Sequence, residues 1–344
     1  MYGSVTGAAP GAAMSEYNGY VVDAAGNVKG TVQVKVGKPN AKTGLAAVKG
    51  SLLLNGAKKV NLKAFGNGKV KINANGPTEI QLVGGETVVV TLAANGMSGK
   101  LGGNVIDGAR NFFTSKDKAE ANAANALIEK WLGSLAMIWD GGNANVTIAK
   151  KGKVRVKGTL SSGTKLSVSA QLLVGEEWLC VPVSFPKANL SFVLWLPRST
   201  GNPAVVGLGD GAVVGKAGTL KAGAKFSIDK SAALWKKLPG TVLATYLPSG
   251  VSVTQNGMKW ELPKAGKIAM KRGVLDVSKA GENPSGLKLT YKKDGTFKGS
   301  FKVYSDIGGK LKATTVSVSG VVIGSTGYGT ATIKGAGSLS ITVE

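Results

Sequence analysis

The chain has 344 residues, with 43 lysines and arginines against 19 acidic residues, a formal charge of +24, one cysteine and no histidine. The missing histidine excludes Ser-His-Asp and Cys-His nucleophilic machinery, imidazole acid–base chemistry and histidine-based zinc centres. A lone Cys180 excludes an internal disulfide, while 43% hydrophobic residues exclude disorder by composition and leave enough material for real cores.

Glycine is abundant (51 residues) and proline modest (11), which fits many short strands joined by tight turns. Met1 to Glu16 has neither a basic start nor a long apolar run, so any export signal is expected to lie outside this chain. No apolar stretch approaches ~18 residues, so no transmembrane segment is expected.

The first strand signal is Val32-Gln33-Val34-Lys35-Val36, where apolar and polar residues alternate with the two-residue period of a half-buried antiparallel strand. Ala25-Gly26-Asn27 supplies a turn before it. From Asp117 to Ile138, Ala124, Leu127, Ile128, Trp131, Leu132, Leu135 and Ile138 recur at three- and four-residue steps, predicting one amphipathic helix. Thr114-Ser115-Lys116-Asp117 offers its N-cap. Val154-Arg155-Val156-Lys157 alternates again, after the turn Lys151-Gly152. Cys180, between Leu179 and Val181, reads as a buried structural thiol. Lys230 to Leu238, preceded by Asp229 and stopped by Pro239-Gly240, predicts a second, short helix. Thr241 to Ser278 reads as additional strands, and Leu287-Lys288-Leu289-Thr290-Tyr291 as another, followed by the hairpin signal Asp294-Gly295.

Three of these segments share one plan. Gly26-Asn27-Val28-Lys29-Gly30-Thr31-Val32 and Gly295-Thr296-Phe297-Lys298-Gly299-Ser300-Phe301 have identical spacing. Gly152-Lys153-Val154-Arg155-Val156-Lys157-Gly158-Thr159-Leu160 carries two extra residues, which keeps the strand phase. Downstream, Ser167-Val168-Ser169-Ala170 matches Ser317-Val318-Ser319-Gly320, and Leu190-Ser191-Phe192-Val193 matches Leu339-Ser340-Ile341-Thr342-Val343. In the first copy, Val48-Lys49-Gly50 and Leu52-Leu53-Leu54 hold the corresponding place. Motifs recurring in one order mark an internal repeat. Each copy is expected to open with a hairpin. The inner glycine (Gly30, Gly158, Gly299) is expected to let the sheet coil or close, with a ligand approaching the bare backbone as the alternative.

The fold class that follows is mainly β: tandem antiparallel β-barrel or β-sandwich repeat units with short linking or plugging α-helices. Two domains are expected. Residues 1–139 form a first β-repeat unit ending in the helix at 117–138. Residues 140–344 hold the second and third copies with the short helix at 230–238 between them.

The third copy, from Asn283-Pro284-Ser285-Gly286-Leu287 through Gly295-Thr296-Phe297-Lys298-Gly299-Ser300-Phe301-Lys302-Val303-Tyr304, with the ending Gly327-Tyr328-Gly329-Thr330-Ala331-Thr332-Ile333, resembles the C-terminal β-repeat regions of large secreted or surface proteins of bacteria. The resemblance covers mainly residues 283–344. It implies an exported, surface-associated module and carries over no catalytic residue.

Chemistry is sparse. Gly207-Leu208-Gly209-Asp210-Gly211 lacks the strand, long helix and Gly-Lys-Ser/Thr of a nucleotide loop and reads as turn glycines. No cofactor and no metal site is expected; the acidic residues are scattered, without a calcium-loop pattern. Glu176 and Glu177 beside Trp178, with Asp210, Glu261, Asp276 and Glu282, keep a carboxylate-dependent glycoside hydrolase or lyase open as a minor alternative.

Binding has more support. Lys288, Lys292, Lys293, Lys298, Lys302, Lys310 and Lys312 crowd the third copy, with Tyr291 and Tyr304 interleaved. They read either as solvated strand positions that discourage edge pairing or as a polyanion-binding face. Only Arg110, Arg155, Arg198 and Arg272 are arginine, and the lysines are spread along the chain, which argues against specific nucleic-acid recognition. The expected function is a non-enzymatic, extracellular or cell-surface structural and adhesive β-repeat module. The alternative is a binding module for acidic polysaccharide or another cell-envelope polymer.

Overall fold

The computed structural model describes residues 15–73, 76–175, 177–220, 288–307, 310–333 and 337–343, together with short strands between 226 and 276. The fold is mainly β, as expected, and all the strand registers given below are antiparallel. The chain divides into two compact units. Unit 1 comprises Met1–Leu132, Ile148–Arg155 and Val168–Gly209, and unit 2 comprises Gly133–Thr147, Val156–Ser167 and Asp210–Glu344.

Unit 1 is built on a closed barrel. Its strands are β1 (Glu16–Val22), β2 (Val28–Val36), β3 (Leu45–Leu54), β4 (Val60–Ala64), β5 (Lys69–Lys71), β6 (Thr78–Val83), β7 (Thr87–Leu92), β8 (Gly96–Leu101) and β9 (Asn104–Arg110). They follow the order β2-β1-β9-β8-β7-β6-β4-β3, and β3 pairs back onto β2 to close eight strands; β5 adds to the far end of β3. Closure removes the free edges that an open sheet exposes. Alternation decides what fills the inside. Val32, Val34, Leu52, Leu82, Val90, Met97 and Ile106 pack into one interior cluster, joined by Tyr17, whose hydroxyl donates to the Ala93 carbonyl at 2.9 Å. An eight-stranded barrel is narrow enough for side chains alone to fill it.

A second apolar set lies outside the interior cluster. Tyr20 and Ala109, on the opposite parity of β1 and β9, and Val28, beyond the register shift between β1 and β2, pack with Leu173, Cys180 and Val193. These come from a four-stranded sheet of β14 (Leu173–Val174), β15 (Trp178–Phe185), β16 (Leu190–Pro197) and β17 (Ala204–Val206). Cys180 is fully buried there, as expected from its neighbours.

The helix expected over 117–138 is corrected in length. Helix α1 spans Lys118–Leu127, capped by Asp117, whose carboxylate accepts from the Ala119 N–H at 2.8 Å. A short helical turn at Glu129–Trp131 follows, and Gly133, at φ +111°, breaks the path. Strand β10 (Gly133–Trp139) then takes Leu135 and Ile138. Their spacing suits a helix face, but β10 pairs with a distant strand, and such pairing overrides local periodicity. Trp131 is buried in unit 1, its Nε1 donating to the Pro197 carbonyl. The helix expected at 230–238, with Trp235, lies outside the described residues.

In unit 2, β11 (Gly142–Ala149), β12 (Lys153–Leu160) and β13 (Lys165–Gln171) join β10 and β18 (Val213–Lys216) in the order β13-β12-β11-β10-β18, each strand contributing the part that belongs to this unit. The short strands are β19 (Phe226–Ile228), β20 (Thr241–Val242), β21 (Tyr246–Leu247), β22 (Val251–Ser252), β23 (Met258–Trp260), β24 (Met270–Lys271) and β25 (Val274–Asp276). The long meander is β26 (Lys288–Tyr291), β27 (Thr296–Ile307), β28 (Lys310–Ile323), β29 (Thr326–Ile333) and β30 (Gly337–Val343). One face of the meander is apolar, with Leu289, Phe297, Phe301, Val316, Val318, Ala331 and Ile341 buried. No helix among the described residues is long and apolar enough to cross a membrane.

The three repeat copies become three equivalent strand–turn–strand–strand sets: β1-β2-β3, β11-β12-β13 and β26-β27-β28. Each opens with the expected hairpin. Gly26 and Gly295 take φ +84° and +79°, and both Lys151 and Gly152 are left-handed. The inner glycine is explained by a close strand. A Cβ on Gly30 would lie 2.2 Å from the Leu53 carbonyl oxygen, and one on Gly158 would lie 2.3 Å from that of Asn143. The bare backbone lets the neighbouring strand approach. Gly158→Val is therefore expected to destabilise unit 2 by about 1–3 kcal/mol through overpacking against β11. A lowered thermal midpoint checks this; an unchanged one contradicts the contact.

Candidate functional site: a cleft lined by lysines and hydroxyls

The lysine cluster of the third copy is divided by strand parity. Thr290 lies opposite Lys298, Lys298 opposite Ser319, and Ser319 opposite Thr330. A parallel row runs Lys288, Ser300, Ser317, Thr332 and Ser338. These rows give β26–β30 a second face of lysines, serines and threonines, opposite the apolar one. Lys302 and Tyr304 hold the same parity, facing Thr315 and Ala313 in the register.

Lys310 and Lys312 do not. They pair with Ile307 and Ser305, on the parity of Phe297 and Phe301. Lys293 sits in the turn before β27 and is exposed. Tyr291 belongs to the apolar face. It is buried, its hydroxyl donates to the Gly218 carbonyl, and burial, helped by the Asp294 charge, raises its pKa. Position 288 stands opposite Asp276 in β25, so a carboxylate-bearing residue shares its row. In the register, positions 288, 298, 302 and 304 share one strand parity, and positions 291, 310 and 312 share the other.

Against the lysine face, within unit 2, stands the hairpin of the second copy. The two sides enclose a cleft of about 190 Å³. Its lining includes Asn143 from β11, Lys157 and Thr159 from β12, and Thr290, Lys292, Thr296, Lys298 and Ser319 from the meander, with Phe297 beneath. Among the described residues, no aspartate or glutamate lines it. The hairpin is tied across by the Asn145 amide, which donates to the Asp294 carbonyl at 2.7 Å. Lys165 adds a further charge at the wall, donating to the Thr159 hydroxyl at 3.0 Å. Beside the cleft residue Thr296 is Asp294, whose carboxylate accepts from the N–H and the hydroxyl of Thr296, at 3.0 and 2.6 Å.

Electrostatically, the cleft differs from the corresponding part of the first copy. There Lys29 meets Asp23 at 2.9 Å, and Lys35 meets Glu16 at 2.9 Å. Burial of Glu16 pushes its carboxyl up, but hydrogen bonds from Lys35, Asn18 and Asn111 and the charge of Lys35 outweigh it and hold the pKa below the usual value. Lys157, Lys292 and Lys298 take part in no salt bridge among the described residues. Three ammonium groups without a carboxylate partner make a positive pocket, and the hydroxyls around them both donate and accept.

Asn143 adds an unmet donor. The residue is 4% exposed, and its Nδ2 has no hydrogen-bond partner among the described residues. Thr330 Oγ1, in the row of Lys298 and Ser319, is also buried without one. A buried polar atom left unpaired costs about 1–3 kcal/mol.

Lys157, Thr159 and Asn143 were not singled out from sequence. The repeat held the signal for two of them: Lys157-Gly158-Thr159 is the counterpart of Lys298-Gly299-Ser300. Of the carboxylates noted there, Glu177 and Asp210 are exposed, position 276 is in β25, and Glu176, Glu261 and Glu282 lie outside the described residues.

No protein-family model matches the sequence, and no curated protein matches it significantly.

Proposed function

We propose that the chain is a non-enzymatic structural and adhesive β-module of the cell surface or extracellular space that attaches by holding acidic polymers, acidic polysaccharide foremost. One observation carries the reading: lysines from the second and third repeat copies line one cleft in which no carboxylate is found among the described residues. The overall charge of +24 adds a long-range attraction for any polyanion. The resemblance of residues 283–344 to bacterial surface repeats supports the placement outside the cell.

The test is retention of the full chain on a polygalacturonate resin. The chain is expected to bind where the Debye length is ~30 Å, near 0.01 M salt, and to elute before it falls to ~3 Å, near 1 M. Passage through the resin at low salt, as through an uncharged agarose, overturns the reading.

A further inference from the structure

We infer that the cleft between the second-copy hairpin and the meander is a built subsite for one uronate residue of an acidic polysaccharide. This rests on the acidic-polymer reading above and narrows it from bulk charge to a place and a ligand group.

Size is the first argument. At about 190 Å³ the cleft is smaller than the ~300–1,000 Å³ pockets that enclose drug-sized ligands. It has room for one sugar-sized unit, with the rest of a polymer passing along the open hydroxyl face.

The lining gives the second argument. A uronate presents a carboxylate and several ring hydroxyls. The ammonium groups of Lys157, Lys292 and Lys298 match the first, and Thr290, Thr296 and Ser319 match the second. Asn143, also in the lining, has a buried amide nitrogen with no partner among the described residues, which a sugar oxygen would satisfy. Charge-assisted hydrogen bonds of this kind are about twice as strong as neutral ones.

What the lining omits separates a uronate from other anions. Phosphate groups are usually met by arginine forks, backbone N–H nests or helix N-termini. Among the described residues no arginine lines the cleft. Single-stranded nucleic acid needs aromatic platforms for its bases. The aromatic found among the described lining residues, Phe297, is 2% exposed and offers no ring face for stacking.

The repeat gives an internal comparison. The first-copy lysine is paired with Asp23, whereas the second- and third-copy lysines line the cleft with no salt-bridge partner among the described residues. The same motif therefore serves as a neutralised surface in one place and a ligand-ready one in the other.

Calorimetric titration of the full chain with trigalacturonate at low salt tests the inference. Lys157→Met and Lys298→Met are each expected to weaken binding about tenfold, since each removes one charge-assisted contact and keeps the aliphatic stem. Both lysines are exposed, so these variants fold. Asn143→Leu is expected to weaken binding several-fold while its melting temperature holds or rises, because it removes an unpaired buried amide. Lys63→Met, in the barrel, and Lys293→Met, in the turn, are expected to stay within about twofold of the parent. Maltotriose, the uncharged comparison, is expected not to bind.

Equal weakening by all four lysine variants would mean bulk charge and overturn the subsite. So would oligo-dT binding as tightly as trigalacturonate, or an Asn143→Leu variant with unchanged affinity. If the parent is retained by polygalacturonate but the cleft variants match the controls, the subsite alone falls. If the parent is not retained at all, the acidic-polymer reading falls with it.

Discussion

Tyr17→Ala is expected to destabilise unit 1 by about 3–5 kcal/mol, the range for truncating a large buried aromatic. Tyr17 is fully buried in the barrel interior, among the largest side chains that are. Its ring packs among residues from both sides of the closed sheet. Its hydroxyl ties β1 to the β7–β8 connection through the Ala93 carbonyl, 76 residues away. Tyr17→Phe keeps the ring and leaves that carbonyl unpaired, so a smaller loss of about 1–3 kcal/mol is expected. Guanidinium unfolding of the full chain measures both. A Tyr17→Ala curve that overlays the parent would show that the barrel interior is not where the closed strand order places it.

The same burial gives Tyr17 a pH signature. Loss of solvent pushes its phenol up to about 12, although the Arg110 charge pulls in the other direction. The unfolded phenol titrates near ~10. The folded state therefore holds the proton more tightly, so this contribution to stability is fully present below pH ~10 and is lost as pH rises through the folded value. Tyr17→Phe removes that part of the alkaline loss. Tyr20 is shifted the same way, first by burial and then by the Asp107 carboxylate that accepts its hydroxyl proton.

Phe297→Ala is expected to cost unit 2 a similar amount, about 3–5 kcal/mol. Phe297 is 2% exposed, and its ring fills space left by two glycines. A Cβ on Gly320 would stand 2.3 Å from its Cζ, and one on Gly327 would stand 3.1 Å from its Cε1. Because Phe297 also underlies the cleft, its truncation is expected to weaken trigalacturonate binding along with stability, whereas Tyr17→Ala is expected to lower stability and leave binding at native conditions unchanged. A chain of two units need not unfold in one step, so the two variants also identify which transition belongs to which unit. If both variants shift the same transition equally, the assignment of these residues to separate cores fails.

Much of this architecture was legible before any coordinates. The period-2 runs, the glycine turns and the order of repeated motifs are local signals, and each became a hairpin with a third strand beside it. Cys180 was readable as buried from its neighbours. The helix after Asp117 was readable only in part. Lys118–Leu127 has an N-cap and an alanine-rich body, but beyond Gly133 the apolar spacing fits both a helix and a strand, and only the strand has partners. The candidate site was half legible. Lysines crowd residues 288–312 in the sequence, yet Lys310 and Lys312 fall on the opposite strand parity from Lys298, and Tyr291 is core.

Most strands, their turns and the repeat are readable from the residues alone, as is the exclusion of histidine and paired-thiol chemistry. Folding decided which strand closes the barrel, which lysine positions share a strand parity, and that Lys157 and Lys298 line one cleft while Lys29 pairs with Asp23. The physical reason is range: alternation and turn geometry act between residues a few positions apart. Strand pairing and charge neutralisation act between residues that only folding brings together.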